Sequence, residues 1–221
     1  MNIQMKSEMD DFLKKLKNDH HNFDKGELSD HVPVDPFVFF KKWYKEAFDF
    51  QKAANAMAIS TVDAAGRPSS RIVYLKELSN EGFIFFTNYD SHKGHDLDVN
   101  PNISCLFFWD NMERQVRIEG SAVKVSDTES NEYFDSRPRS SQLGAWASLQ
   151  SQPLASRREL EERIHEFNLK YPKKVPRPQH WGGYIIHARR IEFWQGRSSR
   201  LHDRIIYEKE GEKWTIYRIN P

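Results

Sequence analysis

The sequence predicts a mainly β fold with inserted helices (α+β), its strands forming a closed or split antiparallel barrel. Three observations predict it. Five β-rich runs follow one another between residues 56 and 125, with only short polar turns between them. Four more lie between residues 181 and 219. The helical periodicities in between do not alternate one for one with strands, which argues against a doubly wound parallel sheet.

Residues 1–33 are polar, mixed in charge, carry the pair His20-His21 and lack a sustained apolar stripe, so they read as a mobile arm. One domain then runs from 34 to 221. Asp35-Pro36 supplies an N-cap and a first-turn proline, and Phe37, Phe40, Trp43, Tyr44, Ala47 and Phe48 recur at helical spacing as far as Phe50. That aromatic face reads as core. From Ala56 the period changes to strands at 56–62, 69–78, 82–88, 103–109 and 114–125. Ser126 and Glu129 form the signature of a capping box, and Ser156 and Glu159 form a second, opening a charged helix that Pro172 stops. After a connector marked by Pro176 and Pro178, strands resume at 181–188, 189–195, 203–208 and 213–219.

Composition narrows the partners. With 33 Lys and Arg against 32 Asp and Glu, the chain of 221 residues has no global field to gather nucleic acid or a membrane surface. The single cysteine, Cys105, lies in an apolar run and reads as a small core residue. No apolar stretch reaches membrane-spanning length and the amino terminus lacks a signal-peptide core, which places the protein in the cytoplasm. GxGxxG, Walker, GxSxG and paired-cysteine motifs do not occur, so anion binding falls to side chains.

Chemistry concentrates in the last quarter, where an indole (Trp194), an imidazole (His202) and the cations Arg200 and Arg204 fall close together. Such density suits a planar, phosphorylated, proton-exchanging ligand. Ser91-His92-Lys93-Gly94 opens a short helix where backbone donors and a lysine could seat a phosphate. In 133–142, Arg137 and Arg139 with Ser136, Ser140 and Ser141 suit a phosphate monoester, with a basic RNA-binding loop as the competing reading. Arg71 to Lys76 alternates its faces, and Gln115 could address a heterocycle; half-buried strands explain both segments equally well.

Arg71 to Lys76, Phe86-Thr87-Asn88, Glu113-Arg114-Gln115, Ser136-Arg137-Pro138-Arg139, Gly144-Ala145-Trp146, Trp181-Gly182-Gly183, Glu192-Phe193-Trp194-Gln195-Gly196 and Arg200-Leu201-His202-Asp203-Arg204 together resemble the pyridoxine/pyridoxamine 5'-phosphate oxidases, in order from Val34 to Pro221. The resemblance implies an FMN-binding split barrel and a homodimer with two flavin sites at the subunit interface. It implies flavin contacts from Arg71, Ile72, Val73, Tyr74, Leu75, Lys76, Phe86, Thr87, His92, Lys93, Gln115, Gln150, Ser151, Trp194 and Arg204. Substrate contacts would come from Lys76, Tyr133, Arg137, Ser141, Arg200, Leu201 and His202, the first four holding the vitamin phosphate and Arg200 with His202 acting at the pyridine ring. The implied reaction is hydride transfer from substrate C4' to flavin N5, giving pyridoxal 5'-phosphate, with dioxygen reduced to hydrogen peroxide. Where the family often has arginine before the phosphate-binding lysine, this chain has His92, which implies a flavin affinity more dependent on pH.

Overall fold

The computed structural model describes Met9, residues 13–15 and residues 22–221. Its strands are β1 (Ala56–Val62), β2 (Pro68–Tyr74), β3 (Glu77–Leu78), β4 (Phe83–Asn88), β5 (Asn102–Trp109), β6 (Arg114–Lys124), β7 (Trp181–Gln195), β8 (Asp203–Glu210) and β9 (Lys213–Arg218). All pair antiparallel in one sheet, in the order β2-β1-β5-β6-β7-β4-β3, with β8 on β7 and β9 on β8. From residue 34 onward the α-helices are α1 (Pro36–Phe50), α2 (His92–Val99), α3 (Asp127–Ser136), α4 (Arg139–Ala147) and α5 (Arg157–Lys170).

The long strand β7 organises the molecule. One edge pairs with β6 over nearly its whole length, whereas the other pairs first with β4, through residues 181–186, and then with β8, through residues 190–195. The sequence reading breaks this strand at 188/189. The chain instead continues through a β-bulge, because Ala188 faces Gly120 while Arg190 faces Glu119, leaving Arg189 as the extra residue. The run expected as one strand at 69–78 is in turn two strands. Leu75 N–H donates to Asn55 O and Lys76 N–H donates to Ile84 O, so the chain passes here from its β1 partner to its β4 partner.

Helix α1 forms because Asp35 caps it, its carboxylate accepting from Phe37 N–H at 2.7 Å, with Pro36 in the first turn. Its aromatic face enters the core: Phe40 meets Phe83, Phe107 and Trp109, and Phe39 stacks on Phe193 at 4.2 Å. Phe48, expected on that face, is 68% exposed. Cys105 is buried, as its apolar run suggested. A second cluster around Phe134, Leu143, Val175 and Trp181 joins α3 and α4 to the start of β7.

Residues 1–33 read as a mobile arm, and most of 1–21, including His20-His21, lies outside the described residues. The part from 22 to 33 is tied to the body. Asp24 and Lys25 N–H groups donate to the Glu113 carboxylate, Leu28 N–H donates to Asp203, and the Arg218 guanidinium donates to Leu28 O and Asp30. Leu28 is buried and Tyr207 OH donates to Pro33 O. Composition hid this because the segment docks through its backbone, which polar residues offer as readily as apolar ones.

Candidate active site

A cleft of about 980 Å³ opens beside the end of β4, lined by β2, the start of α2, α3, α4 and the turn at 150–151. Ser91 caps α2, its hydroxyl accepting from Gly94 N–H. Gly94 is obligatory, since a Cβ there would sit 1.8 Å from Tyr89 O. This close turn swings Lys93 inward. Lys93 is 7% exposed, and its ammonium donates to Thr87 Oγ1 (3.0 Å), Ser91 Oγ (2.9 Å) and Gln150 Oε1 (2.8 Å).

Those oxygens are all neutral. Burial, with a smaller contribution from the Arg71 charge, pushes the Lys93 ammonium down to about 8. Arg71 donates to Thr61 and Ser69 and lies 3.8 Å from the buried Asp96 carboxylate. Burial lowers its pKa and Asp96 opposes that shift. Asp96 also accepts from Thr61 OH at 2.6 Å and faces His92 at 3.5 Å. One carboxylate thus stands against Arg71, Lys93 and a protonatable His92, a balance that favours a bound anion.

A second cationic seat lines the same cleft. Tyr133 stacks on Phe86 at 3.9 Å, Phe86 on Trp181, and the Arg137 guanidinium lies 4.4 Å over the Trp181 ring. Arg137 Nη1 is buried without a hydrogen-bond partner. Desolvation lowers the Arg137 pKa, and no carboxylate pairs with it among the described residues. An unmade bond on a buried guanidinium is costly, which makes it a place for a ligand oxygen. Lys76 and Ser141 line the cleft beside it.

Of the expected flavin segment, Arg71, Ile72, Val73, Tyr74 and Lys76 line the cleft, as do Phe86, Thr87, His92, Lys93, Gln150 and Ser151. Leu75 does not. Its side chain is in the core, its N–H goes to Asn55 O, and its carbonyl accepts from Asn55 Nδ2. Leu75 shares its face with Arg71 and Val73, as the alternation reads, but at this end of the run that face is the core, on which Val73 also packs.

The remaining expected residues form a separate cluster at the other end of β7. Gln115, Trp194 and Arg204 stand in register across β6, β7 and β8. The Trp194 and His202 rings are 4.6 Å apart, and Phe23 meets both edge-on. Arg197 N–H donates to His202 Nδ1, so the neutral ring carries its proton on Nε2. Desolvation first, then Arg200 and Arg204, lowers the His202 pKa. Ser199 and Arg200 both adopt left-handed backbone, with φ of 57° and 60°, an unfavourable conformation retained at the turn that carries the exposed Arg200 and Leu201 side chains. Leu201 is 69% exposed. Trp181, at the cleft, and Trp194 are separated by about 40 Å of strand.

Asp96, Thr61 and Phe23 had no role in the sequence reading. The His92–Asp96 spacing of one helical turn was the available signal for Asp96; Thr61 and Phe23 depend on contacts far along the chain.

The "Pyridoxamine 5'-phosphate oxidase" family model matches residues 44–171. A second model, "Pyridoxine 5'-phosphate oxidase C-terminal dimerisation region", matches residues 181–221. The chain belongs to the pyridoxamine 5'-phosphate oxidase family. A pyridoxine/pyridoxamine 5'-phosphate oxidase of Bordetella pertussis is 54% identical over 203 residues, covering 90% of this chain and 96% of that protein. One from Paraburkholderia phymatum is 51% identical over 212 residues, covering 95% and 100%.

Among solved structures, PhzG from Burkholderia lata 383, in complex with tetrahydrophenazine-1-carboxylic acid, superposes with a TM-score of 0.83 at 30% identity, over 87% of this chain and 95% of that one. A pyridoxamine 5'-phosphate oxidase-related, FMN-binding protein of Nostoc punctiforme gives 0.69 at 14% identity, over 86% and 100%, which shows the shared split-barrel fold. The pyridoxamine 5'-phosphate oxidase models divide the chain between its two clusters: the cleft lies in the first matched region apart from Trp181, and Trp194, Arg200, His202 and Arg204 lie in the dimerisation region.

Proposed function

We propose that the protein is an FMN-dependent oxidase that converts pyridoxamine 5'-phosphate and pyridoxine 5'-phosphate to pyridoxal 5'-phosphate, working as a homodimer. The observation that carries this reading is the pair of cationic seats in one cleft. A single phosphorylated ligand needs one; a phosphorylated cofactor and a phosphorylated substrate lying against each other need two. The seat of Arg71, Lys93 and the α2 N-terminus fits the FMN phosphate, because its buried ammonium lacks a carboxylate partner. Arg137, with its unpartnered Nη1, joins Lys76, Tyr133 and Ser141 around the substrate phosphate.

When bound, FMN would supply hydride acceptance from substrate C4' and regeneration by dioxygen with release of hydrogen peroxide, and water would replace the amine nitrogen of pyridoxamine 5'-phosphate, which leaves as ammonia. The chain contributes binding and orientation. Arg200, carried on its left-handed turn, directs the pyridine ring and offsets charge that develops on it. His202, neutral with Nε2–H outward, donates to the substrate and takes no fixed charge to the site. Because Gln115, Trp194, Arg200, His202 and Arg204 are remote along β7 from the cleft of their own chain, the partner subunit's copies complete each site. The flavin then lies at the subunit interface in this reading, and the dimerisation region matched at 181–221 supports the homodimer it needs.

An anaerobic absorbance titration of the FMN-loaded protein with pyridoxamine 5'-phosphate tests the reading. The expected result is bleaching of the flavin band with formation of pyridoxal 5'-phosphate, then recovery with peroxide on admitting air. Pyridoxamine lacking the phosphate should bleach it far less. A flavin that binds but is not reduced by the phosphorylated substrate contradicts the proposed activity.

A further inference from the structure

The Glu192 carboxylate is 1% exposed, yet it takes no part in the roles assigned above. It accepts from Arg204 through both oxygens, Nε to Oε1 at 2.7 Å and Nη2 to Oε2 at 3.0 Å. Arg117 approaches Oε2 at 3.6 Å and Arg190 at 3.9 Å, while Arg190 is itself held by Glu119 at 3.0 Å. Arg204 Nη1 also donates to Asn220 O. Three of the five guanidinium N–H bonds are therefore fixed by protein acceptors, and the others remain for a ligand. Glu192 lies two residues before Trp194 on the same strand face, directly behind the rung of Gln115, Trp194 and Arg204.

We infer that Glu192 is a positioning residue for flavin binding, acting through Arg204. The inference rests on the proposed contact between Arg204 and FMN. The bidentate fork locks the guanidinium plane before the ligand arrives, so ordering this long side chain costs little on binding. It also pairs the Arg204 charge, which suits Arg204 to a neutral acceptor on the ring system and leaves phosphate binding to the cleft.

The test measures the FMN dissociation constant, by quenching of flavin fluorescence, for the wild type, Glu192→Gln, Arg204→Gln and the double variant, with thermal unfolding of each apoprotein. Glu192→Gln keeps the shape but turns an amide N–H toward Arg204. It should weaken FMN binding at least tenfold. The double variant should bind within twofold of Arg204→Gln alone, since a residue acting through Arg204 has nothing left to position. Glu119→Gln, which frees only Arg190, should leave FMN affinity unchanged. Should Glu192→Gln fail to fold, Glu192→Asp retains the charge but loses the reach of the fork, and it should weaken FMN binding measurably without a matching loss of melting temperature.

Unchanged FMN affinity in a folded Glu192 variant overturns the inference, as do effects of the two single variants that multiply in the double. A wild-type protein that takes up no FMN refutes the flavin reading itself, and the inference with it. Tight wild-type binding with an unmoved Glu192 variant refutes the inference alone.

Discussion

Lys93 shows what the fold gives up to keep a ligand seat. An ammonium buried among neutral oxygens and pushed down to about 8 costs the empty protein up to about 3 kcal/mol at neutral pH. The sign follows from its lowered folded-state value: apoprotein stability should rise as pH climbs from about 8 toward 10.5, where the unfolded chain still holds the proton. FMN affinity should move the other way, weakening above about pH 8 as Lys93 loses its charge. Lys93→Met should remove that pH step from the FMN dissociation constant and raise the apoprotein's stability by about 1 kcal/mol, the gain limited by the hydrogen bonds it leaves unmade; fluorescence titration and thermal unfolding check the two halves. Arg137→Met should keep FMN while raising KM for the phosphorylated substrate at least a hundredfold, read from steady-state kinetics on loaded enzyme. For His202, the lowered pKa places the acid limb of kcat/KM below the ordinary imidazole value of about 6.5. His202→Gln should abolish that limb. At this scale the sequence was informative: Arg137 and His202 stood out as charged or titratable groups beside aromatics and Lys93 as a lysine at a helix start, and the His92–Asp96 spacing was a signal for Asp96, whereas Thr61 became visible only when α2 packed on β1.

At the scale of elements, the seat depends on the turn from β4 into α2. Gly94→Ala would drive a methyl group into the Tyr89 carbonyl, so either the backbone of this turn or the helix must shift. A loss of about 2 kcal/mol or more in chemical denaturation should accompany a loss of FMN retention. The sequence located this turn from Ser91 and Gly94, because caps and tight turns are encoded by a few local residues. Strand continuity was less legible. The bulge at Arg189 reads as a strand break because period-2 alternation slips there by one residue. The passage at Leu75 and Lys76 reads as continuous because both β2 and β3 have strand composition; only the partners, Asn55 and Ile84, reveal that the chain changes neighbours. The docked backbone of residues 22–33 left no compositional trace at all.

For the whole molecule, β7 decides where chemistry can occur. By pairing β4 at its start and β8 at its end, it holds the cleft and the Trp194–His202 cluster apart within one chain. No local pattern encodes that separation, since both groups of residues read as parts of one ligand site and only topology shows that they stand apart within one chain. The resemblance to a dimeric family implied an interface site, and the divided geometry supplies a physical reason for one. The central claim is that each site takes its phosphate seats from one subunit and Arg200 with His202 from the other. Co-expressing differently tagged Arg137→Ala and Arg200→Ala chains and isolating the mixed dimers tests it most directly. Each parent homodimer should be nearly inactive toward pyridoxamine 5'-phosphate. A mixed dimer should hold one intact site and one doubly impaired site, and should regain about half of the wild-type rate. Mixed dimers no more active than their parents would contradict the account, because sites contained within single chains cannot complement one another.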